Sequence, residues 1–360
     1  MSGRSAPPCG AFLSKGGPMA ERVLVRIGTR RSVLAREQAR IVGAGLAAVA
    51  RAEGIELTFE LVGITTAGDR ILDRPLEQIG GKGLFIRELD SEMTEGRIDI
   101  AVHSCKDLPV ELDPRVRIAA IPARGDVRDV LVLPVPGGEG AAVADVPTPG
   151  RSAEPCSDLA ELGARLVATG LPIGCSSARR RVQLGELFPG VPVASIRGNV
   201  NTRLEKLDAG SYAALTLVVA GLERLGLTSR LSRVFEPHEM LPAAGQGALA
   251  VTALRRGGTP DGRVALIDRL LERYHDVQTG LCVTAERAFT RALGADCATP
   301  CGAYACATDS GAIELEGLFA PPGCAPRRGK TVVELADASA DVATARLTAA
   351  ASSLAERLLA

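Results

Sequence analysis

Residues 98–109 read Ile-Asp-Ile-Ala-Val-His-Ser-Cys-Lys-Asp-Leu-Pro. The stretch begins apolar, with Ile98, Ile100, Ala101 and Val102, as a buried strand does. It then turns polar through His103, Ser104, Lys106 and Asp107, and Pro109 prevents a helix from following closely. In α/β proteins ligands sit beyond the carboxyl ends of strands, so a buried strand that delivers a Lys-Asp pair into a loop is a place for chemistry. A surface ion pair after an ordinary strand fits this stretch alone equally well.

Working outward, the same design recurs. Val23–Ile27 reads as a strand that meets a Gly-Thr-Arg turn (28–30), Ser32 and a helix pattern with Leu34, Gln38, Ile41 and Val42. Backbone N–H groups and an Arg at a helix start suit an anion, although a plain Ser32-capped helix explains the residues too. Leu57–Ile64 is a second strand. The G-G-K-G run at 80–83 reads as a mobile loop around Lys82 and lacks the spacing of a nucleotide-binding P-loop. Phe85–Glu95 reads as a helix, and Val116–Ile121 and Val130–Val135 as strands. Residues 136–155 are rich in Pro, Gly and Ala and read as a surface loop. Leu166–Ile173 reads as a strand into G-C-S-S-A-R-R-R (174–181), and Val193–Ile196 as one into R-G-N-V-N-T-R-L (197–204). Ala214–Ala220 reads as a strand before G-L-E-R-L-G-L. The strand-helix alternation predicts mainly parallel sheets. Parallel strands would bring the junction residues Arg30, Arg179, Arg180, Arg197, Arg203 and Arg224 to one cleft. Convergent guanidiniums suit a ligand with several carboxylates or phosphates.

Leu241–Ala248 reads as a crossover segment before a strand at Leu249–Ala253. Helices are expected at Val264–Arg273 and Leu281–Leu293. Short strands follow near Ala303–Ala307, Ala312–Phe319 and Lys330–Glu334, then a helix from about Ala340 to Leu359, the pattern of a small α+β domain.

At 360 residues the chain has room for two or three domains, and 42 basic against 42 acidic residues leave no net charge to drive nucleic-acid or membrane-surface binding. With no Trp, three Tyr and seven Phe, it lacks stacking platforms for single strands. Nine Cys without CxxC pairing and three His offer no usual zinc spacing, and a chain this long needs no disulfides, so no metal and a reducing cytoplasm are expected. Residues 1–20 have no apolar signal core and are expected to form a disordered extension. Cys297 lies on a polar, Gly-rich loop after a helix; inert packing and covalent chemistry through the thiolate both remain open on these residues.

Taken together and in order, G-T-R-R-S-V-L-A (28–35), G-G-K-G-L-F (80–85), D-I-A-V-H-S-C-K-D-L-P (99–109), S-S-A-R-R (176–180), R-G-N-V-N-T-R-L (197–204), V-A-G-L-E-R-L-G-L (219–227), L-P-A-A-G-Q-G-A (241–248) and V-T-A-E-R-A-F with C-A-T-P (283–300) resemble the porphobilinogen deaminase family. The resemblance implies an α/β fold: two periplasmic-binding-protein-like domains with mainly parallel sheets, and a small C-terminal α+β domain. Expected boundaries are 21–123 with 248–268, then 124–247, then 275–360. It implies a transferase that joins four porphobilinogen molecules head to tail, releasing ammonia, to give hydroxymethylbilane. The primer would be a dipyrromethane cofactor bound through a thioether to Cys297. Asp107 matches the family's catalytic carboxylate. Lys106, Ser176, Ser177, Arg179, Arg180 and Arg203 match cofactor-contacting positions. Arg30, Ser32, Arg197, Arg224 and the loop residue Lys82 match substrate-contacting ones. A cytoplasmic monomer acting on a small substrate, with no nucleic-acid or membrane partner, is expected.

The sequence departs from the family pattern in places. Cys175 stands where Thr is common, Ala67 where a basic residue is common and Cys301 where an aliphatic one is, and the 136–155 loop is long. The rival to an enzyme is a non-catalytic anion-binding clamp, which the same Arg junctions would serve.

Overall fold

The computed structural model describes residues 22–66, 68, 86–135, 158–255, 261–296, 298–336 and 338–360. Ala67, Lys82, Cys297 and the loop at 136–155 lie outside the described residues. Four strands come first: β1 (Arg22–Arg30), β2 (Glu56–Ile64), β3 (Ile100–Ser104) and β4 (Val116–Ala120). Then come β5 (Asp129–Val132), β6 (Ile173–Gly174), β7 (Val193–Ala194), β8 (Ala214–Val218) and β9 (Arg233–Val234). β10 (Leu249–Leu254) precedes β11 (Cys301–Ala307), β12 (Ile313–Phe319) and β13 (Arg327–Val333).

Two five-stranded sheets share one plan: the orders are β2-β1-β3-β10-β4 and β7-β6-β8-β5-β9. In each, the fourth strand arrives from a crossover and runs antiparallel to both neighbours, β10 in the first sheet and β5 in the second. The other pairings are parallel, as the alternation predicts. Both crossovers therefore pass between the sheets, residues 121–129 outward and 241–248 back. The third sheet, β11-β12-β13, is antiparallel.

Each sheet takes its helices from the sequence pattern. In β1, Val23, Val25 and Ile27 are buried at alternate positions and meet Ala39, Val42 and Leu46 of α1 (Val33–Ala52), spaced by three or four. The helices α2 (Arg87–Thr94), α3 (Leu159–Ala168), α4 (Ala178–Leu187), α5 (Val200–Asp208) and α6 (Val219–Arg224) follow. α7 (Gly262–Tyr274) returns to the first core through Leu266, Leu270 and Leu271. α8 (Val277–Ala292) and α9 (Ala340–Leu359) cover the third sheet, where Phe289, Leu315, Leu347 and Leu354 form the core.

Three local expectations are corrected. Gly28-Thr29-Arg30 is not a turn: β1 extends through it, parallel to Val62–Ile64, and the helix starts only after Ser32. Leu166–Ile173 is not a strand. Asp158 caps a helix that buries Leu162 and Leu166, and extended chain appears only at Ile173–Gly174, past Gly170 and Pro172. Ala214–Ala220 is strand to Val218 and helix from Val219.

The crossovers touch through glycine. A Cβ on Gly247, which has φ +81, would lie 2.5 Å from the Gly125 carbonyl oxygen. Gly54 also has positive φ (+75), yet a Cβ there meets nothing within 4 Å. Gly54→Ala should thus cost about 1 kcal/mol from left-handed strain alone. Gly247→Ala adds overpacking against backbone and should cost roughly 3 kcal/mol. Urea titration of the two variants checks this; equal losses would show that the crossovers part freely.

Candidate active site

β3 ends where the first sheet faces the second, and its tail is built for display. Ile100 to Val102 are buried, and Cys105–Asp107 form a 3-10 turn closed by Leu108 N–H on the Cys105 carbonyl at 3.1 Å. The turn is moored at its upstream end. Cys105 N–H donates to the Ala248 carbonyl at 3.0 Å, and Gln38 of α1 donates to Ser104 Oγ at 2.9 Å. Behind it, His103 is buried 2.9 Å from Thr252 Oγ1; burial, helped by the charge of Arg30, pushes its imidazole down to about 4, so it is neutral. Cys105 is also buried, and burial pushes its thiol up to about 11, which makes it inert packing.

Such a turn buries Cys105 and presents the next two side chains. Lys106 and Asp107 keep accessible surface, and neither makes a side-chain hydrogen bond or ion pair among the described residues. Lys106 is nonetheless crowded by protein, as a group inside a cleft is. That burial, with Arg180 and Arg179 nearby, pushes its ammonium down to about 8 against the pull of Asp107 and Asp129.

The opposing wall comes from the second sheet. β6 ends at Cys175-Ser176-Ser177, and the Ser177 hydroxyl caps α4 by accepting from Arg180 N–H at 3.4 Å. Ser176 Oγ donates to the Ile196 carbonyl, which ties the junctions after β6 and β7 together. Arg179 and Arg180 are buried, and both reach Asp129 at the start of β5. Arg179 Nη1 donates at 2.7 Å, and Arg180 donates through Nε at 2.9 Å and Nη2 at 2.6 Å. Gln246 Nε2 adds a fourth bond to Asp129 at 3.0 Å. Burial alone would raise the Asp129 carboxyl, but the two guanidiniums outweigh it and hold the group at about 2.

Arg203 Nε donates to the Gly198 carbonyl at 2.9 Å. Burial, then the charges of Arg180 and Arg197, hold Arg203 below the ordinary arginine range, while Asp107 pulls the other way. The charges of Lys106, Asp107, Arg179, Arg180, Arg197 and Arg203 act on one another, so these groups lie close together where the tail of β3 meets the junctions after β6 and β7. Arg30 joins from the end of β1, next to His103. Ser32 is half-buried and spends its oxygen on Ala35 N–H at 3.3 Å as the cap of α1.

One expected member stands elsewhere. Arg224, at the end of α6, donates Nη2 to the Gly247 carbonyl at 2.6 Å, on the crossovers. It lines a separate cavity of about 450 Å³ with Tyr274 and His275. Sequence reasoning also missed Asp129, Gln246, Gln38, Arg124 and Glu286. Two left a signal. Asp129 opens an all-buried strand, and Glu286 lies four residues after Cys282 and three before Phe289, on the apolar face of α8. An acid in either position must have a buried partner.

Five cations (Lys106, Arg179, Arg180, Arg197 and Arg203) thus surround two carboxylates, Asp107 and Asp129, and Asp129 is fully engaged. The excess positive charge suits a ligand with several carboxylates, and Asp107 is the one acid of the pair left to face it. Among the described residues no group of three or more His, Cys, Asp or Glu could hold a metal ion. No described helix is long and apolar enough to cross a membrane.

Comparison with known proteins places these residues in context. The family model "Porphobilinogen deaminase, dipyromethane cofactor binding domain" matches residues 25–258, and "Porphobilinogen deaminase, C-terminal domain" matches 280–351. Curated relatives include the porphobilinogen deaminase of Acetivibrio thermocellus, 41% identical over 280 residues, covering 78% of this chain and 82% of that one. That of Alkaliphilus oremlandii is 42% identical, covering 82% and 86%. Among solved structures, the VFT2 domain of BvgS from Bordetella pertussis matches with TM-score 0.37 and 13% identity over 74% of this chain and 93% of that one.

The Asp129 node carries a pH signature. An unfolded Asp titrates near 3.9, so a folded value of about 2 corresponds to stability on the order of 2–3 kcal/mol. Because the folded value is depressed, that stability is complete above about pH 4 and is lost as the pH falls toward 2. Asp129→Asn should therefore destabilise by about 3 kcal/mol at pH 7, with a deficit that shrinks between pH 4 and pH 2. Urea midpoints across that range check it; a deficit independent of pH would show that the carboxylate charge is not what the two arginines hold.

Proposed function

Because the chain belongs to the porphobilinogen deaminase family, we propose that it joins four porphobilinogen molecules head to tail, with loss of ammonia at each step, to give hydroxymethylbilane. The observation that carries this reading is Asp107: a carboxylate without a side-chain partner among the described residues, set among cations. Each pyrrole bears an acetate and a propionate, so a chain of pyrroles is a polycarboxylate that needs such a ring.

The cleft fits the family's dipyrromethane cofactor by the chemistry of its donors. Lys106, Arg179, Arg180 and Arg203 would hold the carboxylates, with Ser176 and Ser177 at the same junction. Cys297, outside the described residues, would carry the thioether. When bound, the dipyrromethane supplies the pyrrole end from which the chain is extended. Arg30, Ser32 and Arg197 would take the carboxylates of incoming porphobilinogen, and Lys82 would act from the 80–83 loop. Arg224 would serve substrate binding through the crossovers it touches.

Asp107 has two tasks in this reading. Loss of ammonia from porphobilinogen and attack by the next pyrrole both place positive charge on ring nitrogens. A fixed carboxylate near those N–H groups stabilises that charge and can take up and return the proton. Lys106 keeps one side of the cleft cationic until about pH 8, above which carboxylate binding should weaken. The working body would be three domains, 21–123 with 248–268, 124–247 and 275–360, as a cytoplasmic monomer; the free described thiols, Cys105 to Cys324, are compatible with a reducing compartment. A non-catalytic clamp would need neither a carboxylate left without a partner among the described residues, as Asp107 is, nor a C-terminal unit, and is disfavoured by both.

Asp107→Asn should retain the fold and lose at least about a hundredfold in kcat. Intact mass should show two pyrrole units on the wild type, with a positive Ehrlich colour, and neither on Cys297→Ser. Normal turnover by the Asp107 variant would remove its role; an unmodified wild-type mass after incubation with porphobilinogen would remove the enzymatic reading.

A further inference from the structure

The V-T-A-E-R-A-F segment sets Glu286 and Arg287 side by side on α8, and the cleft chemistry described above uses neither. They grip different parts of the molecule. Glu286 reaches the crossovers. Arg287 reaches the segment that follows Asp107: Nη2 donates to the Pro109 carbonyl at 2.7 Å and the Val110 carbonyl at 3.1 Å, and Nη1 reaches the Leu108 carbonyl at 3.5 Å. Among the described residues this guanidinium has no carboxylate ion pair. Burial holds it below the ordinary arginine range, with Arg291 adding to that and the Cys105 thiol and Glu111 opposing it.

A guanidinium kept from water and spent on three successive backbone carbonyls makes no sense as a charge pair. It makes sense as a clamp. The turn at Cys105–Asp107 is moored upstream by Ala248 and Gln38; downstream, Pro109 has no N–H to give. We propose that Arg287 is a positioning residue for Asp107, fixing the catalytic turn from the C-terminal unit by holding Leu108, Pro109 and Val110. The inference rests on the role proposed for Asp107. It has a mechanical consequence: α8, in the C-terminal unit, also sets the place of the carboxylate.

The test compares Arg287→Lys, Arg287→Met, Asp107→Asn and the Asp107→Asn/Arg287→Lys double variant, with Arg291→Lys as control. Arg291 also touches the Val110 carbonyl, at 3.2 Å, but from the exposed surface, paired with Glu111. Arg287→Lys keeps the charge and one donor direction and loses the fork. It should lower kcat ten- to a hundredfold with KM changed less than about threefold, because misplacing a reacting group by an ångström costs on that order. Its intact mass should show normal loading, and Arg287→Met should fall further. In single turnovers with enzyme in excess, the double variant should be no slower than Asp107→Asn alone, since a residue acting through another adds nothing once that one is gone.

A kcat within twofold of wild type for Arg287→Lys would overturn the proposal. So would a loss confined to KM, full additivity in the double variant, or an equal loss in Arg291→Lys, which would mean general docking of the C-terminal unit. If Arg287→Met does not fold, Arg287→Lys decides. Normal turnover by Asp107→Asn would instead sink the role of Asp107, and the positioning role with it; an inactive Asp107→Asn beside a normal Arg287→Lys would sink the positioning role alone.

Discussion

Everything in this molecule is hung from one buried carboxylate. Glu286 is fully buried on α8 and accepts from Arg124 on the first crossover at 2.8 and 3.0 Å. It also accepts from the Gly245 N–H on the second crossover at 2.6 Å and the Ala305 N–H of β11 at 2.8 Å. One side chain thereby joins both strands of the hinge to the third sheet. Such an ion pair need not add much net stability, because taking two charges from water costs several kcal/mol each. Its effect is on arrangement: with Glu286 removed, Arg124 would be a largely buried charge without the carboxylate it holds here. The hinge itself is polar and glycine-lined. Arg124 Nε holds the Gln246 carbonyl at 2.8 Å, and Gln246 Nε2 holds the Val127 carbonyl at 2.7 Å.

From that fixed hinge the cleft acquires its asymmetry. On the second-sheet side the cations are locked: Asp129 takes Arg179 and Arg180, and Gln183 takes the Leu241 N–H at 2.7 Å while receiving Arg328 from β13 at 3.2 Å. On the first-sheet side the turn that carries Lys106 and Asp107 is held by backbone bonds and by the Gln38 and Arg287 side chains, and neither Lys106 nor Asp107 has a side-chain partner among the described residues. A binding wall benefits from cations that cannot collapse onto a ligand or each other. A group that must stabilise charge as it develops must keep its lone pairs available. The two walls divide those requirements between them.

How much of this is visible in the chain depends on the range of the interaction. The strand of Ile98–Val102 and its polar tail are local, and so are the caps at Ser32, Ser177 and Asn199; apolar periodicity and capping chemistry reveal them. The common topology of the first two sheets is not local. It depends on which strand is supplied by a crossover, and nothing in Asp129–Val132 or Leu249–Leu254 states that each will enter the other sheet's neighbourhood antiparallel. Arg224 shows the same limit. Its junction resembles those of Arg180 and Arg203, but α6 ends beside Gly247, so its guanidinium goes to a carbonyl of the hinge. Leu166–Ile173 misleads for another reason: eight mostly apolar residues fit helix or strand, and the decision comes from the Asp158 cap upstream and the break at Gly170.

The cation excess in the cleft is itself a statement about ligand. Arg180 and Arg179 lower Lys106, and Arg180 and Arg197 lower Arg203, so these groups repel one another in a setting where water screens them poorly. A protein selected for stability alone would replace one of them or add an acid. Asp129 cannot serve further, since both its oxygens are occupied, and Asp107 is turned outward. The strain is relieved only when carboxylates enter from outside. Several cations against one carboxylate with a free side chain among the described residues is the imbalance that a ligand carrying several carboxylates would answer.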